Sequence, residues 1–345
     1  MISTVLKGDN QKKHITEILV HTGQHYDFNM SDVFFEQMGL KQPDYCLEVG
    51  SGSHAEMTAK ILERLEPILM DIKANVVLVY GDTNSTLAGA LAAAKLNIPV
   101  AHVEAGMRSF VKSMPEEVNR VVADHLSSLL FCATDTAVQN LQREGFADDK
   151  IIQVGDVMYD AFLCYKDIAL KQPGYTKFRN RFPEEFYLAT VHRAENTDNA
   201  QNLREITNAL DTISKNIPVV FPVHPRTQKV IKDQNIQSSH IHFLEPLGYF
   251  DLLILLQECK AVFTDSGGLQ KEAFFSKKPC IVLRNETEWQ ELVTHKFNVL
   301  AGSKKEKILE AELSIENYNH DYSLDLYGDG HAGEKIVEHL VKVFS

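Results

Sequence analysis

Several common signatures are missing from this sequence. Cysteine is sparse: Cys46, Cys132, Cys164, Cys259 and Cys280 are scattered, odd in number and never spaced C-x-x-C. That excludes a disulfide framework and a cysteine zinc site, and it fits free thiols in a reducing compartment. No apolar run approaches ~18 residues and no signal-peptide pattern opens the chain, so no membrane span is read and the expected location is cytoplasmic. The glycine pair Gly267–Gly268 belongs to neither a G-x-G-x-x-G fingerprint nor a G-x-x-x-x-G-K-[ST] loop, so neither NAD nor ATP is indicated there. Positive charge is also short. Lys and Arg number 35 against 47 Asp and Glu, a net charge of −12 that argues against nucleic acid or an anionic membrane as partner. An anionic ligand would have to be held by local cations and backbone dipoles against a repulsive overall field.

What is present is an alternation of short apolar runs and helical patterns along 345 residues, a length that suggests two domains. Strand candidates are 17–23, 76–82, 99–106, 129–134, 151–156, 187–192, 218–225, 241–246, 261–268, 280–284 and 298–302. They are β-rich and mostly uninterrupted by charge, as buried parallel strands are. Residues 54–73 form a clear helix with Met57, Ile61, Leu65, Ile68 and Ile72 on one face, and 83–96 is a second helix rich in small residues. The β-α-β-α order predicts an α/β fold of two Rossmann-like domains facing a cleft. The polar stretch 170–185 reads as the linker, and the amphipathic end of the chain, 333–344, as a helix crossing back to the first half. The predicted domains are 1–168 joined by 329–345, and 169–328.

In open α/β sheets ligands bind beyond the carboxyl ends of the strands, so the polar residues there matter most. Asp82 ends one strand and opens a helix, where an N-cap role is the simple account. Glu104, late in the apolar run "HVEAG", is harder to explain structurally, because Glu is rarely buried unpaired; Arg108 is a candidate partner. Glu116 and Glu117 follow Pro115 in "MPEEVNR", where the first turn of a helix suits acidic residues. "VHRAEN" and "PVHPRT" each put a His and an Arg after a strand: His192 with Arg193, and His224 with Arg226. In an acidic chain such pairs point to an anion or proton-transfer site. "FTDSGGLQKEA" adds Ser266, Gly267 and Gly268 at a helix N-terminus, which either is a tight turn or offers N–H groups to an anion. Glu272, one turn on, is placed to accept hydrogen bonds from sugar hydroxyls. No D-x-D occurs, so a metal-dependent sugar-nucleotide site is not supported, and no His/Cys/carboxylate spacing suggests zinc.

Taken together, "TGQHYD", "GDTNSTLAGA", "HVEAGMRS", "MPEEVNR", "HRAEN", "VHPRT", "TDSGGLQKEA" and "YGDGHAGEKI", in this order, resemble the non-hydrolysing UDP-N-acetylglucosamine 2-epimerases from about residue 2 to the C-terminus. The resemblance implies the two-domain architecture of metal-independent glycosyltransferases (GT-B), an isomerase with no cofactor and no metal, a UDP-amino sugar substrate, a homodimer, and supply of an amino sugar for surface polysaccharide. It places Asp82, Glu104, Glu116 and His192 on catalytic positions and Arg193 and His224 on nucleotide-sugar contacts. Ser266, Gly267 and Gly268 fall on the diphosphate loop, Glu272 on the uridine ribose, and Leu247 and Leu252 near the uracil. Gln24, Lys60 and Arg193 fall where some bacterial members bind a second, regulatory UDP-sugar.

Two departures from the family pattern shape the expectations. Members usually begin with a strand and a "G-x-R-P-x-x-I-K" turn. Here "MISTVLKGDNQ" is similar to the helix after that turn, so the N-terminal domain is expected to lack its first strand, with unpaired strand edges and impaired solubility or activity. Trp289, in "RNETEWQEL", stands where many members have Arg, and Lys271 where Glu is common. Both are similar to the branch acting on UDP-2,3-diacetamido-2,3-dideoxyglucuronate. The resemblance therefore implies C2 epimerisation of UDP-N-acetylglucosamine to UDP-N-acetylmannosamine first, and the diacetamido uronate as alternative. A GT-B glycosyltransferase and a non-catalytic UDP-sugar binder are the competing classes.

Overall fold

The computed structural model describes residues 15–23, 39, 41–315 and 320–344. They divide into two compact units: one runs to Ala161 and resumes at Asp325, and the other is Phe162–Leu324. The expected absence of a first strand, and Gln24, concern residues outside the described set.

Unit 1 carries two parallel sheets among its described residues. β1 (Val20–His21) pairs with β2 (Tyr45–Cys46), and β3 (Val77–Tyr80), β4 (Val100–Val103), β5 (Leu129–Cys132) and β6 (Ile151–Gln153) follow one another in order. β4 and β5 are buried throughout, which explains their apolar sequence, broken only by His102 in β4. The helix His54–Ile72 starts at the Ser53 N-cap and buries Ile61, Leu65 and Leu69, spaced by one helical turn. The helix Asn84–Lys95 is alanine-rich because it lies close to the sheet: a Cβ on Gly89 would stand 3.1 Å from Val79 Cγ1. On the other side Ala332, Ile336, Val337 and Leu340 of the last helix, Ala332–Phe344, join a core with Ala101, Val103 and Phe131. Asp160 anchors that helix by accepting the N–H groups of Ala332 and Gly333 at 3.1 and 2.7 Å.

Gly106 sits at a packing point that admits no side chain. Its φ is +79°, and a Cβ there would lie 2.4 Å from the Ala137 carbonyl oxygen. Gly106→Ala is expected to destabilise unit 1 by about 3 kcal/mol, combining overpacking with a left-handed backbone. Hydrogen exchange across β4 and β5 reports it, and protection equal to wild type would contradict the expectation.

Unit 2 is a six-stranded parallel sheet in the order β9-β8-β7-β10-β11-β12, from β7 (Tyr187–Thr190), β8 (Val219–Pro222), β9 (His242–Leu244), β10 (Val262–Thr264), β11 (Cys280–Val282) and β12 (Asn298–Leu300). This is the doubly wound Rossmann order, with its switch point between β7 and β10. Tyr187, Phe221, Phe263, Ile281 and Leu283 form its buried centre. Residues 170–185, read above as a linker, belong to this unit. Within them the short helix Tyr175–Arg179 is tied to Glu258 by Tyr175 at 2.8 Å and Arg179 at 3.1 Å.

Candidate active site

The candidate residues divide between the units, and each group lies at the carboxyl ends of parallel strands. In unit 1, Asp82 and Glu104 follow the adjacent strands β3 and β4, and Glu116 is in the first turn of the helix Pro115–Leu126. The N-cap of Asn84–Lys95 is Thr83, not Asp82. The Asp82 carboxylate is therefore left to pair with Arg120, while its carbonyl accepts from Asn119 Nδ2 at 2.9 Å. Glu104 holds a left-handed φ of +72°, and its Oε2 lies 3.4 Å from where a Gly81 Cβ would stand. Arg108 does not serve Glu104: its guanidinium bonds Glu144 through two 2.7 Å contacts and Asp124 through a third.

The neighbouring glutamates of "MPEEVNR" do different work. Glu117 is buried and accepts from Ser109 N, Ser109 Oγ and Phe110 N at 2.9 Å each, and from Arg120 at 3.0 Å. It holds the loop after β4 in place. Glu116 is half-buried and takes no part in that clamp. Arg120, bridging Glu117 and Asp82, was not anticipated as a site residue, although its i,i+3 spacing from Glu117 was visible.

In unit 2, His192 and Arg193 follow β7 and Asp265–Gly268 follow β10, so they flank the switch point. Asp265, wholly buried, organises both loops. It accepts the backbone N–H of His192 at 3.0 Å, that of Arg193 at 3.0 Å and Asn196 Nδ2 at 2.9 Å. It was overlooked beside the glycines, though an aspartate ending an apolar strand was the signal. The His192 ring stands 3.5 Å from Asp265 and 5.6 Å, centre to centre, from His224. Burial holds its pKa below the ordinary range against the pull of Asp265, and His224, Arg193 and Arg226 push the same way as burial. His224 is also the N-cap of Pro225–Asp233, accepting from Arg226 N at 3.2 Å.

Ser266 caps the helix Gly267–Phe275, so the N–H groups of Gly267 and Gly268 open its first turn. Tight surroundings account for Gly267, where a Cβ would stand 2.9 Å from Glu288 Oε1 and 3.7 Å from an Arg193 nitrogen. Among the described residues no group of three or more His, Cys, Asp or Glu side chains is arranged to hold a metal. Lys60 pairs with Glu56 at 2.8 Å on its own helix, and Arg193 belongs to the other unit.

Glu272 is buried and accepts the Tyr249 hydroxyl at 2.8 Å, with Leu247 and Leu252 flanking Tyr249 in sequence. Burial pushes its carboxyl up to about 7, against the opposing pulls of Tyr249 and Lys271. The folded state thus binds an extra proton between the ordinary glutamate range and pH 7, and stability falls as pH rises through that window. Glu272→Gln is expected to stabilise unit 2 at pH 8 by up to about 3 kcal/mol, the gain vanishing near pH 4. Urea unfolding at both pH values measures it, and a variant less stable than wild type at pH 8 would refute it. A buried carboxyl that lowers stability at neutral pH is a functional candidate. Its neighbour Lys271 is buried with its ammonium 4.2 Å from the Trp289 ring centre, so the two residues of the second departure form one cation–π contact.

Two α/β units, one with the full Rossmann strand order and both with polar residues gathered at strand carboxyl ends, define a protein of the nucleotide-binding α/β class. The sequence model of the UDP-N-acetylglucosamine 2-epimerase family matches residues 8–341, and the chain belongs to that family. It is 46% identical, over 99% of its length and 96% of the relative's, to the UDP-2,3-diacetamido-2,3-dideoxy-D-glucuronate 2-epimerase of Pseudomonas aeruginosa. The crystal structure of the Methanocaldococcus jannaschii UDP-GlcNAc 2-epimerase in complex with UDP-GlcNAc and UDP superposes with a TM-score of 0.91 at 42% identity, covering 99% of this chain and 95% of that one. The Neisseria meningitidis UDP-GlcNAc 2-epimerase bound to UDP-GlcNAc gives 0.88 at 31% identity, with 99% and 95% covered.

Proposed function

We propose that this chain inverts C2 of a UDP-2-acetamido sugar without a cofactor, converting UDP-N-acetylglucosamine to UDP-N-acetylmannosamine. The observation that carries this reading is the division of chemistry: carboxylates Asp82, Glu104 and Glu116 in unit 1, and His192, Arg193 and the Gly267 helix N-terminus in unit 2. The C2 proton is not next to a carbonyl, so a base alone removes it poorly. Breaking the C1–O bond first resolves this. UDP leaves with the bonding pair, and a carboxylate takes the C2 proton. The C2–H pair then becomes the C1–C2 double bond of a glycal. Protonation on the opposite face of C2 and return of UDP to C1 complete the inversion.

Cations and N–H groups suit the departing diphosphate, and carboxylates suit the cationic sugar and the proton shuttle. Ser266, Gly267, Gly268, Arg193 and His224 are assigned to the diphosphate sugar, with His192 assisting departure. Glu272 is assigned to the ribose, and Leu247 and Leu252 to the uracil. The homodimer implied by the resemblance and the cytoplasmic location expected from the composition belong to this proposal; light scattering tests the first. A second reading, the UDP-2,3-diacetamido-2,3-dideoxyglucuronate, is favoured by the Pseudomonas relative and by Lys271 with Trp289.

Proton NMR in heavy water separates these readings. Loss of the H2 signal with growth of the manno epimer is expected from UDP-N-acetylglucosamine alone, with EDTA present. Exchange from the diacetamido uronate only would move the substrate to the second reading. UDP release that requires an acceptor would make the chain a glycosyltransferase, and no C2 exchange from either sugar would overturn epimerisation.

A further inference from the structure

One buried side chain touches every element that carries a candidate carboxylate of unit 1. His102 lies in β4, two residues before Glu104, and is wholly buried. Its Nε2 is 2.7 Å from the carbonyl oxygen of Gly81, the residue before Asp82. Its Nδ1 is 2.7 Å from Asp124 Oδ1, on the helix Pro115–Leu126 that carries Glu116 in its first turn. The other Asp124 oxygen accepts the Gly106 N–H at 3.1 Å and pairs with Arg108 at 2.7 Å. One ring thus ties the turn holding Asp82, the strand leading to Glu104 and the helix bearing Glu116.

Both ring nitrogens face acceptors. A backbone carbonyl has no proton to give, so Nε2 donates to Gly81, and Nδ1 faces a carboxylate that already accepts two other donors. A neutral imidazole has one N–H and satisfies only one of these contacts. The doubly protonated ring satisfies both, and its charge is balanced locally: His102 and Arg108 face Asp124 and Glu144. Burial works against that charge, but the hydrogen bond and charge of Asp124, the Gly81 carbonyl and the nearby Glu104 carboxylate together raise the His102 pKa above the ordinary range.

We propose that His102 is a positioning residue, a permanently protonated imidazolium that clamps the Gly81 carbonyl to Asp124 and so aims Asp82 and Glu104. It does not touch the reacting sugar. The clamp rests on the epimerase reading for its functional consequence, but not for its protonation state. Misplacement of a reacting group by about 1 Å costs on the order of 10²-fold in rate, and that is the scale expected when the clamp is cut.

The test has two arms on the full chain. In wild type, nitrogen-15 NMR of the histidine rings is expected to show His102 with both nitrogens protonated from pH 6 to pH 9. Titration within that interval, or a single protonated nitrogen, overturns the clamp whether or not the protein epimerises anything. In His102→Gln, whose amide can still donate to Gly81 but carries no charge, kcat is expected to fall about 10²-fold. KM and the dissociation constant for UDP, whose assigned residues are in unit 2, are expected to stay within about twofold. Unchanged kcat overturns the positioning role, and a comparable loss of UDP affinity shows general damage and also overturns it. If the variant does not fold, the wild-type NMR arm decides. Absence of C2 exchange in wild type would sink the proposed function while leaving the protonation result standing.

Discussion

Asp265→Ala is expected to destabilise unit 2 by about 3–5 kcal/mol, because it strands several buried donors that each cost about 1–3 kcal/mol when unpaired. The carboxylate directly follows β10 and receives the backbone N–H groups of His192 and Arg193 together with Asn196 Nδ2. Asn196 retains a 3.0 Å bond to the Leu283 carbonyl, so the loss falls mainly on the loop after β7. The same variant is expected to abolish measurable UDP binding, since His192 and Arg193 lose the support that orients them. Trp289, the single tryptophan of the chain, lies in unit 2 and reports its denaturant unfolding by fluorescence. Arg226→Ala is the control: its partner Asp198 is exposed, and such pairs contribute less than about 1 kcal/mol. If Asp265→Ala unfolds within 1 kcal/mol of wild type, Asp265 does not hold the two loops together.

The second large effect concerns turnover. Asp82→Asn, Glu104→Gln and Glu116→Gln are each expected to lower kcat by about 10²–10⁴-fold, the range for groups that transfer a proton in the transition state. UDP affinity is expected to change little, because the residues assigned to UDP are in unit 2. The adjacent glutamates give an internal comparison. Glu117→Gln removes the charge that gathers Ser109, Phe110 and Arg120, so it is expected to reduce stability by about 2–3 kcal/mol. Glu116→Gln is expected to leave stability within about 0.5 kcal/mol while losing turnover. Paired urea unfolding and C2-exchange rates separate the two. Full turnover by Glu116→Gln would remove Glu116 from the chemistry.

Much of the fold was legible because parallel strands buried on both faces must be apolar along their length. Each of the eleven candidate strands has a counterpart, shorter at its carboxyl end because residues such as Asp82, Glu104 and His192 already belong to the loops. β2 escaped notice because it is two exposed residues, Tyr45 and Cys46, with no periodicity to detect. Unusual residues at strand ends marked the candidate site, and the simple account of Asp82 as an N-cap does not hold, because its neighbour Thr83 takes that place. By itself, then, the sequence determined the alternation of strands and helices, the class of fold, and which polar side chains arrive at the strand ends. Only the tertiary structure decided what those side chains touch. Arg120 reaches Asp82 across 38 positions, Asp265 reaches His192 across 73, and Lys271 meets Trp289 through packing alone. The physical reason is that helix and strand periods act over a few residues, whereas these partners are set by sheet order and register.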